Sequence, residues 1–405
     1  MYLLNRDSLG SNLNCLDLTG TFVEVGVLKG DFANEVLSLW KGERAILIDS
    51  WEQLQPGTPD VVATFSQGQH DKNYQHVVNR FANDKRVEVL KSKSLDAVKN
   101  FSNLDCVYID ADHSFAGALA DIASWWGTIK EGGLLSGHDY VNAFWGDSQN
   151  DPGATWTAVK LAVEKFFSKR DDCSCVISSY SDQTPSWQVF KMQHNVDPKD
   201  VLVLSCATDN LTYTKQTEKN HRAYCDAHGY NYKMVREGFW ADAHPAWSKL
   251  KFLQEELPSY KWVMWVDADA IFMDKTRSLN RFLIPRMGHI SSTWHAFGRL
   301  QLTNGISFWQ NIPWTFDMLK NAINCKSQFA WSGVWEEEGI RRALDADINN
   351  YGRWLGIETT HFNSWPHYNA WLQGKDFIVH WGGAKFAKER LIADSLAMIP
   401  YLEQR

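Results

Sequence analysis

Residues 21–30, TFVEVGVLKG, decide how the first half of the chain folds. An apolar run, 21–27, passes into a turn with glycines at 26 and 30, and a helical stretch, 31–40, follows at once. Glycine lets a ligand approach the backbone, and the first turn of a helix offers unpaired N–H groups. A second apolar run, 45–49, ends in Asp49, nineteen residues beyond Gly30. There a carboxylate can accept hydrogen bonds from both hydroxyls of a ribose. Turn and acid together imply an adenosine-bearing ligand; a tight turn beside a surface aspartate is the plainer alternative. The spacing is E-x-G-x-x-x-G rather than G-x-G-x-x-G, which disfavours binding of the NAD type.

Working outward, apolar runs at 86–90, 105–110, 133–137, 173–179 and 186–191 alternate with helical stretches at 115–126 and 155–167. This predicts an α/β domain with seven strands wrapped by helices, the last two strands forming a hairpin-like pair. The stretch 193–200, QHNVDPKD, is polar and contains a proline, so the expected domains are 1–192 and 201–405 with 193–200 as linker. The second half opens with another strand, helix, strand unit at 201–206, 214–228 and 230–236. A helix at 247–256 leads to the apolar strand 262–266, and a strand at 305–310, a helix at 314–324 and a strand at 377–380 follow. This is again an open α/β start.

A chain of 405 residues is long enough for two or three domains. With 22% charged and 44% hydrophobic residues it is expected to be ordered nearly throughout. The 41 basic residues against 48 acidic ones give a net charge of -7, which excludes a general electrostatic case for nucleic acid. Seven dispersed cysteines suit free thiols in a reducing compartment. With no basic, apolar leader and no run of 18 apolar residues, the chain reads as soluble and cytoplasmic, without a membrane span. Tryptophan is abundant, with 20 in all, seven before residue 193 and thirteen after. Its rings suit either large aromatic cores or the faces of sugars.

The strand–turn–helix unit with Asp49 resembles the class I S-adenosylmethionine-dependent methyltransferases over residues 18–192. The resemblance implies a seven-stranded fold in which Glu24, Gly26 and Gly30 form the cofactor loop, Asp49 holds the ribose and Ser94 lies near the adenine. Strands four and five deliver Asp110-Ala-Asp112-His113 and His138-Asp139-Tyr140 to the carboxyl edge of the sheet. A hydroxyl is methylated only with a base or a metal to lower its pKa, and oxygen-rich sites suit magnesium or manganese. The run IDADHSFAGALADI, followed by EGGLLSGHDY, resembles metal-assisted sugar O-methyltransferases. That likeness implies Asp110, His138 and Asp139 as ligands of Mg2+ or Mn2+ and Asp112 as base, with His113 as an alternative. His138-Asp139 stands where the family often has Asp-Asp, so a metal-free site with His113 or His138 as base remains open. So do carboxylates that merely tie down backbone N–H groups.

In the second half the strand WVMWVDADAIFMD puts Asp267 and Asp269 on one side of an exposed strand end. Acids beside so apolar a strand need a cation or a dense set of hydrogen bonds. A divalent metal bridging them to a diphosphate neutralises charge that grows as the leaving group departs. His380 in VHWGGAK ends a late strand, where it is either a third ligand or a structural histidine, and Lys385 is within reach of a diphosphate. With HPAWSKLKFLQEEL (244–257), NGISFWQNIPW (304–314) and FNSWP (362–366), the order resembles glycosyltransferase family 34 over residues 201–388. These are galactosyl- and xylosyltransferases of GT-A fold.

The likeness implies that Asp267, Asp269 and His380 bind Mn2+, that Lys385 contacts the diphosphate and that Lys249 lies near the donor. It also implies retention of anomeric configuration. Trp335-Glu336-Glu337-Glu338 stands in place of the family's acceptor motif, so the three glutamates are acceptor-site candidates or a solvated helix start. The expected protein is a bifunctional enzyme that methylates a sugar hydroxyl and transfers a hexose or pentose, from a UDP-sugar by preference, to an oligosaccharide or polysaccharide. The alternative is a glycan-binding or scaffold protein with one active half.

Overall fold

The computed structural model describes residues 6–54, 65–145, 155–180, 184–192, 196–296, 299–333, 335–346, 353–366, 375–384 and 387–402. The chain separates into two compact units on either side of residues 194 and 195. In the first, the elements run α1 (Leu9–Cys15), β1 (Thr21–Val25), α2 (Asp31–Leu39), β2 (Arg44–Asp49), α3 (Gln67–Phe81), β3 (Val87–Lys91), α4 (Ser94–Ala97), β4 (Leu104–Ile109), α5 (Phe115–Trp126) and β5 (Ile129–Gly137). After them come β6 (Ala143–Trp145), β7 (Thr155–Thr157), α6 (Val159–Phe167), β8 (Ile177–Tyr180) and β9 (Pro185–Phe190).

The seven-stranded sheet has the order β3-β2-β1-β4-β5-β9-β8. Its first five strands are parallel, and β9 and β8 pair antiparallel. The direction of winding reverses between β1 and β4, which opens a crevice at their carboxyl ends. Every residue of β4 is buried, as expected of a strand covered on both faces. Val23, Ile46, Val107 and Ile109 pack with Ile122, Trp125 and Trp126 of α5. Each such side chain contributes about 1.5–3 kcal/mol by leaving water. The Ser114 hydroxyl caps α5 by accepting from the Gly117 N–H at 3.1 Å.

Two elements differ from expectation. The helix expected from residue 155 starts at Val159, because Thr155–Thr157 is extended and pairs with Ala143–Trp145; its β-branched threonines favour a strand. The 15-residue α3 was not expected, since only His70, Val77 and Phe81 of it are buried and its apolar stripe is too thin to read.

The second unit contains β10 (Val201–Cys206), α7 (Thr214–His228), β11 (Asn231–Val235), α8 (Ser248–Glu256), β12 (Trp262–Val266), β13 (Ala270–Phe272), β14 (His289–Ala296) and β15 (Arg299–Gln310). Then come α9 (Pro313–Asn324), α10 (Lys326–Phe329), α11 (Trp335–Asp345), β16 (Trp354–Glu358), β17 (Ile378–His380) and α12 (Lys388–Leu402). The main sheet has the order β11-β10-β12-β15-β14-β16, with β10, β11 and β12 parallel and β15 antiparallel to β12. Gly229 takes a φ of 75° and ends α7 in the left-handed conformation that glycine adopts without strain.

A separate pair, β13 and β17, sets Ala270 opposite His380. Both halves are thus α/β, as the alternating pattern predicts. Trp40, Trp51, Trp125, Trp187, Trp247, Trp265 and Trp309 are fully buried, so much of the tryptophan builds cores. No helix among the described residues is long and apolar enough to cross a membrane.

Candidate active sites

In the first unit the turn after β1 lies directly over the end of β4. Gly26 has a φ of 92°, and a Cβ there would meet the Asp110 carbonyl oxygen at 1.9 Å. Leu28 and Gly30 also take positive φ, 51° and 74°. Asp49 holds this turn in place. Its Oδ2 accepts from the Leu28 N–H at 2.9 Å and its Oδ1 from the Trp51 N–H at 2.8 Å. Glu24 is buried at the base of the turn, and its Oε2 has no hydrogen-bond partner among the described residues. Burial, with Asp110 close by, holds its carboxyl well above the usual range. A backbone cradle that no side chain can enter, floored by an unpaired buried carboxylate, fits a cofactor with a cationic amino-acid tail. Ser94 is differently engaged: its hydroxyl donates to Asp121 Oδ1 at 2.5 Å and accepts from Trp125 Nε1 at 2.9 Å, tying α4 to α5.

Beside this cradle Asp110, His113 and Asp139 converge. His113 Nε2 lies 3.2 Å from Asp110 Oδ1 and 3.1 Å from Asp139 Oδ2. Asp139, with a φ of 54°, is turned back toward the end of β4. Burial works to raise its pKa, but hydrogen bonds from His138 and Thr184 and the nearby His113 prevail and bring it down to about 2. His138 is one step behind the cluster, with Nδ1 3.4 Å from Asp139 Oδ1 and Nε2 3.2 Å from Thr184 Oγ1. The histidine that joins the two acids is therefore His113, not His138.

Asp112 is turned away. Its Oδ1 accepts from the Ser114 N–H at 2.8 Å, and its carboxylate fills the space over Gly117 at the start of α5. The Arg6 guanidinium, stacked 4.7 Å from the centre of the Phe32 ring, lies 3.6 Å from Asp110 Oδ2. Nothing in the sequence pattern marked Arg6, because a single arginine in the first turn of a chain carries no periodic signal.

In the second unit the β13–β17 pair draws His380 against the Asp-Ala-Asp turn. Asp267, Asp269 and His380 offer ligand atoms all within 4.8 Å of one another. His380 Nε2 is 3.1 Å from Asp269 Oδ1 and 3.6 Å from Asp267 Oδ2. Its other nitrogen, Nδ1, lies 2.9 Å from Asn363 Oδ1, an oxygen that also accepts from Trp365 Nε1 at 2.9 Å. Trp365 Nε1 also lies 3.1 Å from Nδ1, so the ring can carry its proton on Nδ1 toward Asn363 or on Nε2 toward Asp269. In the first tautomer Nε2 is available as a ligand, and two carboxylate oxygens with one imidazole nitrogen suit a divalent ion of the manganese type. Gly305 and Gly382 flank the imidazole so closely that a Cβ would come within 2.0 Å and 2.6 Å of its ring atoms.

Each acid uses its remaining oxygen otherwise. Asp267 Oδ1 accepts from Trp265 Nε1 at 2.6 Å and lies 3.3 Å from Lys249 Nζ, while Asp269 Oδ2 is 2.5 Å from Lys388 Nζ. Burial works to raise the Asp269 carboxyl, but His380 and Lys388 hold it well below the usual range. Lys249 is buried among Asp267, Glu336 at 2.6 Å and the Asn304 carbonyl at 3.0 Å. Glu336 is buried, and Glu337, half-buried, turns to the backbone, its Oε1 accepting from the Asn304 N–H at 2.9 Å. Glu338 pairs with Arg341 and Arg342 on its own helix. Lys385 lies outside the described residues. Lys388 was missed because it stands in a run, KFAKER, where nothing distinguishes one basic residue from the next.

Residues 23–140 match the family model of a methyltransferase domain, and residues 196–294 match that of the galactosyl transferase GMA12/MNN10 family. An uncharacterized alpha-1,2-galactosyltransferase of Schizosaccharomyces pombe is 26% identical over 85 residues, 19% of this chain and 24% of that protein. The chain thus spans about a quarter of the curated relative it matches. A glycosyltransferase involved in the glycosylation of the major capsid of PBCV-1 is similar over 48% of this chain and 98% of its own, with 18% identity and a TM-score of 0.41. An O-methyltransferase from Bacillus cereus, in complex with SAH, is similar over 46% of this chain and 80% of its own, with 16% identity and a TM-score of 0.33. In its two folded units the chain therefore joins a match to the methyltransferase domain, in the first half, to a match to the galactosyl transferase family, in the second.

Proposed function

We propose that the chain is a bifunctional glycan-modifying enzyme with domains at 1–192 and 201–405. The first methylates a sugar hydroxyl with S-adenosylmethionine. The second transfers a sugar from a nucleotide donor, UDP-linked by preference, to a glycan acceptor with retention of configuration. The observation that carries this reading is the convergence of Asp267, Asp269 and His380, the last two 111 residues apart, with ligand atoms all within 4.8 Å of one another.

In the first half, the positive-φ turn and Asp49 would hold the adenosyl portion and Glu24 the cationic tail, while S-adenosylmethionine supplies an electrophilic methyl group. His113 is our choice of general base. Its Nε2 lies 3.2 Å from Asp110 Oδ1 and 3.1 Å from Asp139 Oδ2, two carboxylates that orient the imidazole as it takes the acceptor's proton. The competing reading is a metal-assisted site, for which Asp110, His113 and Asp139 offer ligand atoms within 4.8 Å of one another, His113 standing in the place expected of His138.

In the second half a divalent cation would neutralise the diphosphate of the leaving group. Asp267, Asp269 and His380 would hold it, and Lys388, whose Nζ is 2.5 Å from Asp269 Oδ2, would add a positive charge beside it. Mass spectrometry of products formed from a panel of UDP- and GDP-sugars with an isotopically labelled methyl donor tests both activities. We expect a mass gain for one added sugar and one labelled methyl group. Binding of S-adenosylmethionine or of UDP with Mn2+ unaccompanied by any product would favour the glycan-binding alternative.

A further inference from the structure

The start of α11 carries two glutamates, Glu336 buried and Glu337 half-buried, that turn to the β15 end and do not belong to the cation cluster. Glu336 is 3% exposed and lies 2.6 Å from Lys249 Nζ. Lys249 is 4% exposed, and its other contacts are the Asn304 carbonyl at 3.0 Å and Asp267 Oδ1 at 3.3 Å. Glu337 takes the opposite end of the same residue, accepting from the Asn304 N–H at 2.9 Å. Asn304 is thus gripped at its N–H and its carbonyl by consecutive side chains of one helix, one directly and one through a lysine.

What Asn304 leads into is the cation cluster itself. Gly305 follows it, with no room for a Cβ against His380, and its carbonyl accepts from the Asp267 N–H at 2.7 Å. Asp267 is therefore fixed twice from this side, at its backbone by Gly305 and at Oδ1 by Lys249, which leaves Oδ2 directed toward His380. Lys249 and Glu336 are both far from water, and removing one of the two leaves the other buried and uncompensated.

We propose that Lys249, Glu336 and Glu337 form a buried latch that positions Asp267, and with it the cation, by clamping the β15 end to the start of α11. The three are positioning residues of sugar transfer, not acceptor contacts, and the proposal rests on the cation-dependent reading of the second half. A latch of this kind has a specific signature. Losing Lys249 leaves Asp267 Oδ1 with the Trp265 Nε1 hydrogen bond at 2.6 Å and removes the charge that balances the carboxylate; the cation then binds more weakly, but the ligands remain and excess cation restores the site.

The test is a Mn2+ titration of the full chain in the presence of UDP, followed by electron paramagnetic resonance, with sugar-transfer rates measured across the same Mn2+ range. We expect Lys249→Met to weaken Mn2+ binding by about tenfold or more, and its rate to recover as Mn2+ is raised, which a folding defect would not allow. The paired variant Lys249→Met with Glu336→Leu removes both buried charges together, so it keeps the fold while keeping the Mn2+ defect. Wild-type affinity and rate in the paired variant would overturn the latch and leave the cation site standing. A wild-type chain that binds no Mn2+ in the presence of UDP would overturn the cation reading and the latch with it.

Discussion

The two acid clusters are built from the same sequence fragment, Asp-Ala-Asp after an apolar strand, yet they solve the problem of negative charge differently. Asp110, His113 and Asp139 keep 19–25% of their side chains exposed, and water shares the load with one imidazole and Arg6. Asp269 and His380 are 11% and 3% exposed while Asp267 keeps 32%, and a lysine stands at each acid of the Asp267–Asp269 pair. In the first cluster the second acid of the fragment, Asp112, turns outward to the start of α5. In the second, Asp269 turns inward because β17 brings His380 to meet it. The lesson is that the fragment does not dictate its use. The partner strand decides whether the second acid caps a helix, as Asp112 does, or joins a histidine and a lysine, as Asp269 does.

The sharpest way to break this contrast is to remove the buried acid of the second cluster. Asp269→Asn should lower sugar transfer by roughly 10²–10³-fold, since a ligand and its charge are lost together, and leave methyl transfer within twofold. Chelation with EDTA should do the same without mutation, abolishing sugar transfer until Mn2+ is returned and sparing methyl transfer. Equal loss of both activities on chelation would erase the distinction and restore the metal-assisted alternative for the first half.

Next in size is the base of the hydrated cluster. His113→Ala should reduce methyl transfer by about 10²-fold or more, with sugar transfer unchanged. His138→Ala should cost less, because His138 acts on Asp139 from behind rather than on the acceptor. Comparing kcat for methyl transfer in the two variants separates the roles. A larger loss at His138 than at His113 would reverse the assignment.

How much of this was legible follows from range. The β1 turn with Gly26, Gly30 and Asp49 spans fewer than thirty residues, and local rules about glycine and strand-end acids suffice to find it. β12 announced itself by five apolar residues before Asp267. The pairing of Ala270 with His380, the grip of Lys249 on Glu336 and the approach of Lys388 to Asp269 join positions 87–119 residues apart, which one sequence cannot register. Asp112 was misleading for the opposite reason: an acid two places before Ser114 is also what a helix start uses, and local geometry won. The α11 glutamates read as a solvated helix start or an acceptor site because three in a row look polar from every side, while the buried lysine that takes one of them is invisible in that pattern.

The smallest expected effect concerns an acid that the first half buries without the cationic partners given to Asp269. Asp121, on α5, is held by the Ser94 hydroxyl, and burial pushes its carboxyl up to about 6, against the relief of that hydrogen bond and with a further push from Asp112. A folded pKa above the unfolded value of 3.8 means that the native unit favours the proton. Any stability tied to Asp121 is then fully present below about pH 4 and is lost as pH rises through about 6. Asp121→Asn keeps an oxygen for Ser94 but has nothing to ionise. It should therefore raise the stability of the first unit at pH 8 by on the order of 1–3 kcal/mol and change it little at pH 4. Urea unfolding of wild type and variant at the two pH values measures this, and a gain equal at both would mean that ionisation is not its source. The same substitution at Asp269 should do the reverse, since its folded pKa is depressed by His380 and Lys388 and its charge is what holds them. Opposite signs for two buried aspartates in one chain would follow from a single difference, the presence of a matched cation.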